Sequence, residues 1–208
     1  YRLSVRPDRV EICAATGAGI FYGAQTFLQL LPASAYGKER EYCQSWSIGC
    51  VEIEDTPRFA WRGAMLDVSR HFMPIEFLRR FVNLLAIHKL NVLQLHRNDD
   101  QAWRIEILKY PRLTEVGSRR RETLIGYADQ SPADVTSDVS RPRFDGVPHT
   151  GFYTQQELRD LVAYARVRNV TIVPEIEMPG HATAAIAAYP ELGCLDHPVD
   201  VSPTWGIH

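Results

Sequence analysis

No run of apolar residues in this 208-residue sequence approaches the roughly 20 needed to cross a bilayer as a helix, so no membrane span is expected in this segment. Basic excess is absent too. Lys and Arg total 23 against 25 Asp and Glu, a formal net charge of −2, which argues against nucleic acid or an anionic membrane surface as partner. Arg119-Arg120-Arg121 is the one basic cluster, and its polar surroundings read as a solvated patch rather than a ligand site. Cysteine is scarce: Cys13, Cys43, Cys50 and Cys194 show no metal-binding spacing. Buried, unpaired thiols are expected, with a Cys43–Cys50 bridge as the alternative. There is no internal repeat and no low-complexity tract. Neither an initiator methionine nor a signal peptide is visible, and Tyr1 already lies in strand-like sequence. A missing N-terminus is therefore expected, and the compartment stays open among periplasmic, secreted and lysosomal types.

What is present is a globular composition, 45% hydrophobic and 23% charged. Residues 1–56 read as a small α+β unit. Arg2 to Val5 and Arg9 to Ala14 form two strands turning through Pro7-Asp8, and Gly19 to Leu31 is a helix with Phe21, Ala24, Leu28 and Leu31 on its apolar face. Ser47 to Glu54 is a further strand, and Pro57 marks the boundary. From residue 57 to 208 the pattern is strand, helix, strand, helix, strand. Gly63 to Val68 is the first strand and Leu90 to Leu95 the second. A helix opening at Pro74 lies between them, with Phe77, Leu78, Phe81, Leu84 and Leu85 facing inward. Gly117 to Gly151 reads as a long loop. Thr154-Gln155-Gln156-Glu157 is a capping box opening the second helix, with Asn169 suited to the left-handed position past its end. Val170 to Val173 begins the third strand, and Ala182 to Ala188 is a short helix.

Such strand–helix–strand units predict a parallel sheet with helices outside. The first strand runs into Ser69-Arg70-His71-Phe72, with no glycine-rich turn, so a dinucleotide fold is disfavoured and an α/β barrel favoured. All three strands carry ionisable groups at their C-terminal ends: Asp67 and Arg70; His96, Asp99 and Asp100; Glu175, Glu177 and His181. Singly, each has a bland reading, Asp67 as a turn cap, His96 as a bonded core residue, Asp99-Asp100 as a solvated turn. Their recurrence points to a shared site, because burying uncompensated charge costs several kcal/mol per group. Arg70 offers a planar fork of donors for vicinal hydroxyls, Trp103 a face for a pyranose, and Asp99 with His181 an acid–base relay. The same His/Asp/Glu set could ligate a metal, although no HxH or HExxH spacing is present.

At these residues the sequence resembles the β-N-acetylhexosaminidases of glycoside hydrolase family 20. The resemblance rests on Trp61 to Phe72 (WRGAMLDVSRHF), Asp99 to Glu106 (DDQAWRIE), Pro174 to His181 (PEIEMPGH) and Tyr189 to Cys194 (YPELGC). It implies a partial TIM (β/α)8 barrel, its first three strands, preceded by the end of a small α+β domain over residues 1–56. It also implies an exo-acting glycosidase that releases terminal β-linked N-acetylglucosamine or N-acetylgalactosamine with retention. In that mechanism the substrate's own acetamido oxygen attacks the anomeric carbon, without cofactor or metal. By position, Arg70 would bind the C3 and C4 hydroxyls, Asp99 and His181 would form the relay that tunes the acid, Glu177 would support it, and Asp67 and His96 would shape the pocket floor.

Three departures stand out. Glu177 occupies a position that is aspartate in many members, Arg97-Asn98 replaces a hydrophobic-then-small pair, and Ala102 replaces a glycine. The family's catalytic Asp-Glu pair follows Gly-Gly at the end of the fourth strand, and no such pair occurs here. The expectation is a fragment that is inactive alone. The alternatives are a metal-dependent barrel hydrolase and a non-catalytic sugar-binding relative.

Overall fold

A computed structural model describes residues 1–36, 45–126 and 143–204. Cys43, and with it the Cys43–Cys50 pairing, lies outside the described residues, as do residues 127–142 and 205–208.

The N-terminal unit is a three-stranded antiparallel sheet in the order β2-β1-β3: β1 Arg2–Val5, β2 Val10–Cys13 and β3 Val51–Glu54. The third strand is shorter than the alternation from Ser47 suggested. Helix α1, Gly17–Gln29, packs on this sheet and starts at Thr16, whose hydroxyl accepts from the Gly19 N–H. Its buried residues are Tyr22, Gly23 and Thr26, not the expected Ala24 and Leu28 face, and Leu28 is exposed. The reason is that α1 has two neighbours. Gly23 lets it approach Tyr1 and Ile12 of the sheet, while Phe21 packs into the core of the next unit. Lys89 ties the units together by donating to the Tyr1 hydroxyl and pairing with Asp55.

The second unit is a parallel sheet in the order β10-β5-β4: β4 Gly63–Asp67, β5 Val92–His96 and β10 Thr171–Glu175. Helix α2, Ile75–Ile87, joins the first pair, and α4, Gln155–Arg166, precedes β10. The capping box forms as the sequence predicts: Thr154 Oγ1 accepts from the Glu157 N–H and the Glu157 carboxylate accepts from the Thr154 N–H. Asn169 takes φ 56° past the end of α4, the left-handed stop its side chain tolerates. Period-two alternation then sorts the sheet's faces. Leu93, Leu95, Ala64, Leu66 and Ile172 face α2 and α4, where Leu78, Val82, Leu85, Leu161 and Ala165 complete the core. The opposite face carries Met65 and Gln94, both exposed, with no helix over it among the described residues.

Register decides what that opposite face presents at its end. Asp67 pairs with His96, and His96 with Glu175, so one ladder row brings the three ionisable side chains together.

Beyond β5 the chain makes a two-stranded turn, β6 Asn98–Asp99 against β7 Ala102–Trp103, then α3, Arg112–Glu115. The expected long loop contains structure: β8 Arg119–Arg120 pairs with β9 His149–Thr150, and Leu124 bridges Phe144. Helix α5, Thr183–Ala188, is buried along its whole length. The described cysteines, Cys13, Cys50 and Cys194, are free and exposed rather than buried.

Candidate active site

The backbone turn after β4 starts the site. Asp67 Oδ1 accepts from the N–H groups of Ser69 and Arg70, the turn-capping role allowed for it, while its other oxygen takes Arg70 Nη1 at 3.0 Å. Arg70 spreads its remaining donors over the β5–β7 segment. Nη2 meets Asp99 Oδ2 at 2.6 Å and Nε donates to Gln101 Oε1 at 3.1 Å. The Arg70 side chain is 37% exposed, and each of its three guanidinium nitrogens has a protein partner.

Asp99 is the junction. Its side chain has no exposed surface. Besides Arg70, it receives His96 Nε2 at 2.9 Å, His181 Nδ1 at 3.1 Å and the Asp100 N–H at 2.7 Å. Burial alone would raise its pKa. The hydrogen bonds from His96 and the Asp100 amide, with the nearby Arg70 charge, overcome that and hold it below the usual carboxylate value. The predicted Asp99–His181 relay thus has hydrogen-bonding geometry. Asp100 Oδ1 accepts the N–H and hydroxyl of Thr183 at the start of α5, while its Oδ2 lies 3.5 Å from His181 Nδ1.

His96 lies between two carboxylates, with Nε2 toward Asp99 and Nδ1 3.1 Å from Glu175 Oε1. The hydrogen bond to Asp99 raises its pKa most; burial opposes this, and Glu175 adds to it. Arg70 Nη1, 2.7 Å from Nε2, acts against that positive charge. Glu175 is anchored by Gln94 Nε2 at 2.6 Å. That bond, with those from Glu177 and His96, holds Glu175 down to about 2. Glu177 is raised by its hydrogen bond to Glu175, so of the two it keeps its proton to higher pH. Glu177 lies past the end of β10, next to His96 and Glu175, rather than on the Asp99–His181 contact.

These pKa shifts give stability a sign. His96 has its pKa raised by folding, so its contribution is complete below about pH 6.5 and lost as pH rises through the folded value. His149 is depressed to about 4, by burial first and then by Arg120 and Arg104, so its protonation opposes folding as pH falls below 6.5. The melting temperature of the chain should therefore decline on both sides of neutrality, and His96→Gln should flatten the alkaline limb. Thermal melts from pH 4 to 9 test this; an unchanged alkaline limb in the variant would refute the assignment.

Two expectations need correction. Trp103 does not present a ring to a sugar: it is 8% exposed, packs against Leu113 and the alanines of α5, and donates Nε1–H to the Ile105 carbonyl. Arg120 is no part of a solvated patch. It is 5% exposed and its guanidinium reaches the backbone of the site, while Arg119 and Arg121 point to solvent. The missed signal was the alternation expected of a strand through three successive arginines. Arg104, fully buried and bonded only to carbonyls, also went unread in the sequence.

Two groups of side chains bring ligand atoms within 4.8 Å of one another, His96 with Glu175 and Glu177, and Asp99 with Asp100 and His181. Each contains an imidazole hydrogen-bonded to a carboxylate. Next to them, a cavity of about 330 Å³ is lined by Asp67, Arg70, Gln101, Arg120, Thr123 and Thr204 among others.

Carboxylates, imidazoles and a partly exposed arginine converge at the carboxyl ends of the parallel strands, the end of the sheet where α/β folds place their functional sites. The profile "Glycosyl hydrolase family 20, catalytic domain" matches residues 59–207, and "Glycosyl hydrolase family 20, domain 2" matches residues 1–56. The chain belongs to glycoside hydrolase family 20. It is 44% identical, over all of its length, to 24% of a β-hexosaminidase from Porphyromonas gingivalis. Over 95% of its length it is 39% identical to 35% of a β-hexosaminidase from Akkermansia muciniphila. Among solved structures, a Streptomyces plicatus N-acetyl-β-hexosaminidase in complex with Thio-NAglucal superposes with TM-score 0.79 at 38% identity, over 100% of this chain and 37% of that one. A Vibrio harveyi exo β-N-acetylglucosaminidase in complex with N-acetylglucosamine gives 0.75 at 38% identity, over 92% and 27%. The chain thus spans about a fifth to two-fifths of the length of the relatives it matches.

Proposed function

We propose that the protein carrying this chain is an exo-acting β-N-acetylhexosaminidase. It would release terminal β-linked N-acetylglucosamine or N-acetylgalactosamine by retaining hydrolysis, with the substrate's acetamido oxygen as nucleophile. Residues 57–208 are the first three strands and helices of its (β/α)8 barrel, and residues 1–56 belong to the small domain before it. The observation that carries this reading is the Arg70–Asp99–His181 chain. A partly exposed arginine, which would meet the C3 and C4 hydroxyls, is held by a buried carboxylate that also holds an imidazole. Asp67 and His96 form the floor beneath Arg70, and Glu177 acts through Glu175 on His96. The missing proton donor and acetamido-orienting aspartate belong to an Asp-Glu pair that this sequence does not contain, so the 208-residue chain alone is expected to be inactive.

The whole protein should hydrolyse 4-nitrophenyl N-acetyl-β-D-glucosaminide and leave the β-glucoside without an acetamido group essentially untouched, because that substrate lacks the nucleophile. Comparable rates on the two would refute substrate assistance. The close approach of His96, Glu175 and Glu177 keeps one rival, metal-dependent hydrolysis. Stoichiometric metal with activity lost on chelation would favour it.

A further inference from the structure

We propose that Arg120 is a positioning residue for the Arg70 guanidinium, and through it for recognition of the terminal sugar's hydroxyls. The inference rests on the function proposed above. Arg70 takes its place from two backbone segments, its own turn after β4 and the β6–β7 turn that carries Gln101. Arg120 bonds both: Nη2 donates to the Arg70 carbonyl at 2.7 Å and Nη1 to the Gln101 carbonyl at 3.3 Å. Gln101 in turn accepts Arg70 Nε through its side chain, so Arg70 and its neutral orienting partner hang from one guanidinium.

The third side of Arg120 faces the cavity wall. Nε and Nη2 donate to Thr123 Oγ1 at 3.3 and 3.0 Å, and the Thr123 N–H is held by Asp145 Oδ1 at 2.8 Å. Arg120 therefore spans the floor and one wall of the cavity that Arg70 enters. It is buried, its strand pairs with His149, and no carboxylate forms an ion pair with it among the described residues. A planar fork meeting two carbonyls and a hydroxyl from one place needs arginine, since a lysine ammonium offers its donors from a single point.

The test uses the whole protein, with Arg120→Met and Arg120→Lys, and with Arg121→Met, an exposed neighbour, as control. Hydroxyl contacts made equally in the ground and transition states appear in KM, so KM for the N-acetylglucosaminide should rise about tenfold with kcat within about threefold. The decisive readout is discrimination between inhibition by N-acetylglucosamine and by its 4-deoxy analogue. Wild type and Arg121→Met should prefer the hydroxylated sugar at least about tenfold, and both Arg120 variants should fall to about two- or threefold. A merely structural residue would weaken both inhibitors alike and leave the ratio intact, which overturns the proposal. If Arg120→Met does not fold, Arg120→Lys decides by the same ratio. Absence of turnover in the wild type overturns the function and this inference with it; turnover with an unchanged ratio overturns the inference alone.

Discussion

Arg104→Met should lower the unfolding free energy of the chain by about 3–5 kcal/mol, the range for removing one side of a buried charged contact. Arg104 has no exposed surface, and its guanidinium donates to four carbonyls: Val68 and Ser69 after β4, Ser118 before β8, and Gly151 after β9. Phe72 lies beneath it with the ring centroid 5.7 Å from Cζ. Burial pushes its pKa down to about 9, which leaves it charged at neutral pH. Methionine fills part of the volume and supplies no donor, so three buried carbonyls and the part-buried one of Gly151 lose their partner. Since whole-domain stabilities run at about 5–15 kcal/mol, such a loss approaches unfolding. Urea denaturation with an unchanged m-value reads it directly. A loss under about 1 kcal/mol would mean that the carbonyls find water instead. Arg104→Lys should fall between, keeping the charge but not the spread of donors.

Asp99→Asn should reduce kcat/KM of the whole protein by about 10²–10⁴, the span attributed to a positioned acid–base group. The substitution preserves shape and removes the negative charge where Arg70, His96 and His181 converge. An amide oxygen can still accept one of these donors, but its NH2 turns a donor toward another. His181 then loses the carboxylate that orients its ring, and Arg70 loses its closest counter-charge. Both kcat and KM should suffer, unlike the KM-dominated effect expected at Arg120. Steady-state kinetics on a variant shown by circular dichroism to be folded provides the check. Activity within about tenfold of wild type would remove Asp99 from the proposed relay.

The strands and helices were largely legible because they depend on local patterns. The capping residues Thr154 and Glu157, the apolar spacing of Leu78 and Leu85, and Asn169 at a left-handed stop are set within a few residues of chain. Asp67, Arg70, His96, Asp99, Glu177 and His181 read in the sequence as ionisable groups at strand ends, and the structure brings them together. What failed was burial. Trp103 was assigned to a sugar by its chemistry, yet α5, some 80 residues later in the sequence, covers it. Arg120 was assigned to solvent by its neighbours, yet only one residue of that arginine run faces inward.

The sequence by itself determined the parallel strand–helix–strand order, the placement of ionisable residues at the strand ends, and the family, because each is written in residue types at short spacing. Tertiary structure alone decided that Asp67, His96 and Glu175 share one row, that Asp99 is the common partner of Arg70, His96 and His181, and that Arg104 and Arg120 hold the site from beneath. Those facts depend on strand register and on which carbonyls are left without partners in the interior. Both arise when distant segments pack, so neither is encoded in any single stretch of the chain.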